Sequence, residues 1–149
     1  MSTRAYILRP ITVGAQTCYQ SIYCHSDGYP EGVGQTLRDH YTDEARINAL
    51  FALGDLSVLG EEIGEKHPFE WMLGPERHNL DDPRRRWCRA YHRDRGEPLN
   101  ARFFTTVEEA AEEGGINIPY LYAWDGAGWV AYKNDHHLGL PLTPPTPLP

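Results

Sequence analysis

With 149 residues and a hydrophobic fraction of 40%, the chain can form one packed core, and its four Trp, nine Tyr and four Phe exclude a disordered composition. A formal net charge of −7 argues against a general nucleic-acid binder, and no run approaches the roughly 20 apolar residues of a membrane helix. Met1-Ser2-Thr3-Arg4 has no apolar signal core, and Cys18, Cys24 and Cys88 follow no disulfide-framework spacing, so the expected setting is a reducing cytoplasm.

Along the chain, Arg4 to Leu8 and Thr17 to His25 read as strands joined through Pro10 and Gly14. In the second, Cys18, Gln20, Ile22 and Cys24 share one face, and Tyr19, Ser21 and Tyr23 the other. Turn residues from Ser26 to Pro30 precede a helix over Val33 to Tyr41. Thr42 is the expected N-cap of a second helix, with Asp43 and Glu44 in its first turn, Ile47, Leu50 and Phe51 on its apolar stripe and Gly54 after its end.

Residues 61 to 82 lack a clear period and read as an irregular connection anchored by Phe69, Trp71 and Met72. Alternation from Trp87 to Arg93 predicts a strand ending in a turn at Asp94-Arg95-Gly96-Glu97-Pro98, and Arg102 to Thr105 a short one. Thr106-Val107-Glu108-Glu109 matches a capping box opening a helix that stops at Gly114-Gly115. Tyr120 to Trp124 and Trp129 to Lys133 form a hairpin around Asp125-Gly126-Ala127-Gly128. The sum is an α+β domain over 1–137, a mainly antiparallel sheet of hairpins with two or three helices on one face. A proline-rich tail over 138–149 is expected to be extended or disordered.

Charge is segregated. Arg84, Arg85, Arg86, Arg89, Arg93 and Arg95 are opposed only by Asp94, so 84–95 carries +5 and the remainder −12. Arginine forks hold phosphate or carboxylate oxygens, so the compensating anion is either a ligand or the protein's own acids, with Asp81 and Asp82 nearby. The loop His25-Ser26-Asp27-Gly28-Tyr29-Pro30-Glu31 sets an imidazole two residues from a carboxylate, a pattern that serves proton transfer or simply a turn. His and Cys donors lack the close pairs of a zinc site, so no metal or cofactor is expected. Trp124 and Trp129 flank the hairpin turn, where either could close the core or cover a base.

The motifs Tyr23-Cys24-His25-x-Asp27-Gly28-Tyr29-Pro30-Glu31, Gly54-Asp55-Leu56-Ser57-x-Leu59-Gly60 and Arg93-Asp94-Arg95-Gly96-Glu97, followed by an aromatic hairpin with Trp124-Asp125-Gly126, occur in order across most of the chain. In this the protein resembles a widespread group of small bacteriophage and prophage proteins without an assigned activity. It departs from them at Ser26, where an aromatic is expected, and at His92, where a glycine is. The resemblance implies a phage-type accessory protein in the cytoplasm of a bacterial host, with counter-defence as the expected role.

The expected site is a cleft between the two loops. His25 and Asp27 are its catalytic candidates; Tyr29, Glu31, Arg89, Arg93, Asp94, Arg95, Glu97 and Trp124 are its ligand-binding candidates. Its expected partner is a small anionic ligand such as a nucleotide or nucleotide-derived signal, held by sequestration. Phosphodiester or glycosidic hydrolysis in the same cleft is the enzymatic alternative. A third reading is an acidic inhibitor docking on a host protein through the acid runs at 61–65 and 108–113.

Overall fold

The computed structural model describes residues 2–100, 102–134 and 146–147. Strands β1 (Ala5–Val13) and β2 (Gln16–Cys24) form a long antiparallel hairpin. Gly14, in its two-residue loop, has φ 64°, which suits a residue without a Cβ. A π-turn at Pro30–Gly34 runs into α1 (Gln35–His40), followed by α2 (Glu44–Leu53) and β3 (Leu56–Val58). Single 3₁₀ turns punctuate the segment up to β4 (Arg89–Ala90), which leads directly into α3 (Tyr91–Arg95). After β5 (Arg102–Phe104) come α4 (Val107–Gly114), β6 (Tyr120–Trp124), β7 (Trp129–Lys133) and β8 (Thr146–Pro147).

One mixed sheet joins them in the order β4-β3-β2-β1-β6-β7-β8, with β5 also pairing to β2. Most pairings are antiparallel; β1 with β6 and β2 with β3 are parallel. The class is α+β, as the sequence predicts, but the helices do not share one face. Ala5 and Ile7 of β1 pack with α1 and α2 residues such as Leu37, Leu50 and Phe51, while Tyr6 and Leu8 pack with Val107, Ala110 and Ala111 of α4. All of residues 5–8 are buried, so both faces of the central strand need a cover.

Asp43, not Thr42, caps α2, accepting from Arg46 N at 2.8 Å. Thr106 caps α4 as expected, accepting from Glu109 N at 3.1 Å. The strand predicted over Trp87 to Arg93 is a second correction: only Arg89–Ala90 joins the sheet, with Trp87 in an isolated parallel bridge to Glu62. Asp94 reaches back to Ala90 N at 2.8 Å, and Gly96, with φ 76°, closes α3 with its N–H on His92 O at 3.0 Å, so local bonds displace the ladder. The tail prediction lies outside the described residues, except at Thr146–Pro147, which pair with β7 at the sheet's edge. Among the described residues no helix is long and apolar enough to cross a membrane.

Candidate functional site

The parallel β2–β3 pairing carries His25 to the sheet's β3–β4 end, its N–H bonded to Leu56 O at 3.0 Å. His25 Nδ1 lies 2.7 Å from the Tyr23 hydroxyl. Asp27 takes a different partner, accepting from the Tyr29 hydroxyl at 3.0 Å, and its carbonyl receives Val33 N at 2.8 Å. The expected His25–Asp27 pair therefore does not form. Asp27 instead shapes the turn, at φ 56°, and Glu31 stands exposed on the π-turn. Gly28 is locked beneath: its N–H reaches Thr3 O at 2.8 Å, and the Tyr122 hydroxyl donates to its carbonyl at 2.7 Å.

The Arg93–Glu97 turn is closed from within. Asp94 is buried and accepts from Ala90 N, His67 N and Arg93 Nε at 2.8, 3.2 and 2.9 Å. Arg93 also donates to Ile63 O and Cys88 O, both at 2.8 Å. These two groups hold chain segments together, with their hydrogen-bonding atoms spent on the protein itself. Arg95 pairs with Glu97 and lies over the Phe69 ring at 4.4 Å. Glu97 borders a void of about 40 Å³, room for little more than a water molecule. Trp124 sits away from both loops: Leu8 pairs with Ala123, which places it beside Arg9, whereas Cys24 pairs with Ala5.

Two predicted residues line sizeable cavities, and they are separate ones: Trp124 borders about 300 Å³ beside Arg9 and Glu44. Arg89 borders about 340 Å³ with His67, Trp71, Arg84, Arg85 and Trp87, at the low end of small-molecule sites. Arg89 forks onto Ser57 Oγ at 3.2 and 2.9 Å and donates to Phe69 O at 3.3 Å. Arg85 Nε donates to Asn79 O at 2.9 Å. Among the described residues neither guanidinium has a carboxylate partner. Arg84, by contrast, is held by Asp82 at 2.6 Å and lies 4.5 Å over the Trp71 ring. The hydrogen bonds from Arg84 hold the Asp82 carboxyl down at about 2. His67 is 6% exposed, stands edge-on to Trp87 at 5.5 Å, and its Nε2 has no partner.

The His25 loop and the cavity share an electrostatic neighbourhood. Burial, then the positive charges of Arg4 and Arg89, hold the His25 imidazole below its ordinary pKa. Cys24 is no nucleophile, because burial pushes its thiol up to about 12.

Of the ten predicted site residues, then, Arg89 alone lies on the cavity lined by Trp71 and Trp87, and His25 lies within its field. His67, Trp71, Arg84, Arg85 and Trp87 were missed because loops and single turns carry no period. The available signal was the two tryptophans flanking Arg84-Arg85-Arg86. Comparison with protein-family models, curated proteins and solved structures gives no match, so fold, geometry and charge are what bear on function.

Proposed function

We propose that the protein binds a small anionic ligand bearing an aromatic ring, a nucleotide or nucleotide-derived signal, in the cavity bordered by Trp71, Arg85, Trp87 and Arg89. Two arginines without an acid partner among the described residues, set beside two indoles on an otherwise acidic chain, carry this reading. The guanidiniums, held in place by Ser57 and by backbone carbonyls, supply positive charge for phosphate oxygens, and the indoles a surface for a base. Sequestration of such a ligand by a phage-type protein acting against host defence is the role that accords with the motif resemblance. The hydrolytic reading loses its acid–base pair, since Asp27 bonds Tyr29 and His25 bonds Tyr23. In the acidic-inhibitor reading, Glu62 is already paired with Arg86, and Glu109 and Glu113 accept from Thr105 N and the Tyr6 hydroxyl, although all three stay at the surface.

Calorimetric titration with nucleoside monophosphates, cyclic nucleotides and inorganic phosphate tests the proposal. Arg85→Ala with Arg89→Ala should abolish nucleotide binding, and ligand recovered after incubation should be intact. Absence of nucleotide binding, or binding indifferent to both substitutions, overturns it.

A further inference from the structure

His67 is the buried polar side chain on the cavity that phosphate binding does not use. Its Nδ1 lies 2.7 Å from Glu65 O. A carbonyl only accepts, so Nδ1 carries the proton and, in the neutral ring, Nε2 carries a lone pair. Asp94 does not reverse this assignment. Its nearer oxygen is 3.5 Å from Nδ1, beyond a good hydrogen bond, and its carboxylate is already engaged by Arg93, Ala90 N and His67 N. The His67 side chain is 3% exposed and Nε2 has no partner, although buried acceptors in native proteins are nearly always satisfied. The same ring borders the cavity and lies 5.5 Å from the Trp87 ring at an interplanar angle of 64°. An oriented, unsatisfied acceptor is thus set beside the indole that would carry a base and within the ring of guanidiniums that would hold a phosphate.

We propose that His67 Nε2 reads an N–H donor on the ligand's ring, so that the site selects nucleoside phosphates whose base presents an amino or imino hydrogen there. The inference rests on the nucleotide reading of the cavity and adds the group that confers specificity. A base lacking the N–H leaves Nε2 buried and unpaired, and sites built around a hydrogen bond reject such analogues more strongly than sites that only lack a contact.

The test pairs AMP with purine riboside 5′-monophosphate, CMP with pyrimidinone riboside 5′-monophosphate, UMP with its N3-methylated form, and GMP with both its N1-methylated form and IMP, which lacks the 2-amino group, by calorimetry on the full chain. For the nucleotide that binds best, losing the N–H should weaken binding about tenfold or more. His67→Phe should make the two members of that pair equal, and His67→Gln, which keeps an acceptor, should restore part of the difference. Long-range ¹⁵N NMR should show the proton on Nδ1 in the free protein and an Nε2 shift on ligand addition. Equal binding of each pair to the unaltered protein overturns the inference while leaving the nucleotide cavity standing, and so does an Nε2-bound proton in the complex. Absence of binding by every nucleotide overturns both.

Discussion

Asp94→Ala removes one carboxylate and strips partners from three groups at once. The residue is 8% exposed, and its oxygens accept from Ala90 N, His67 N and the Arg93 guanidinium. Arg93 has a side chain 16% exposed and keeps its bonds to Ile63 O and Cys88 O, so its charge is left partly solvated by carbonyls. Removing one member of a buried pair costs about 3–5 kcal/mol, and a stranded N–H about 1–3 kcal/mol before the backbone relaxes. Allowing for Arg93's two remaining carbonyls and its residual exposure, the expected loss is about 4 kcal/mol. At about 2–4 °C per kcal/mol for a domain of this size, the melting temperature should fall by about 8–16 °C. Urea unfolding followed by tryptophan fluorescence measures it, with Glu97→Ala, an exposed partner of Arg95, as a control expected to cost under about 0.5 kcal/mol. A loss under about 1 kcal/mol for Asp94→Ala would refute the scaffold role assigned here.

Four further outcomes follow from the same geometry. Gly60→Ala would set a Cβ 2.3 Å from the Trp87 carbonyl carbon and 2.4 Å from Arg86 O, backbone atoms that cannot yield cheaply, so it should destabilise by about 3 kcal/mol or more in the same assay. Gly128→Ala, where a Cβ would have nothing within 4 Å, should stay within about 0.5 kcal/mol. A thiol reagent should modify Cys18 in the native protein and reach buried Cys24 and Cys88 only on unfolding. Finally, His25 should titrate below 6.5 by NMR, with Arg89→Gln raising its midpoint and no change refuting the shared field. Because the folded value is the lower one, the unfolded chain takes the proton first. The stability linked to His25 is therefore intact above pH 6.5 and declines as pH falls below it.

Gly28 of the first motif and Gly64, outside the motifs, have structural work that spacing does not reveal. A Cβ on Gly28 would lie 2.8 Å from Arg4 C and Thr3 O, and Gly64, at φ 70°, abuts the Trp87 ring. Such positions mark crossings of backbone and packed rings, so their residue type reports closeness in space rather than contact with a ligand.

Elements governed by local physics were legible from the residues alone. The alternation in β2 correctly divides Ile22 and Cys24 from Tyr19 and Tyr23, the capping box opens α4 at Thr106, and Asp125-Gly126 closes the β6–β7 hairpin. These signals lie within a few residues of what they specify, so periodicity and capping chemistry suffice. Which face each helix covers, that Asp94 turns inward to His67 and Ala90, and that Arg85 and Arg89 line one cavity with Trp71 and Trp87 were decided only by tertiary structure. An arginine's partner is set by what the fold brings within about 3–4 Å of its guanidinium, and for Arg89 the partners, Ser57 and Phe69, come from a strand and a loop distant in the chain.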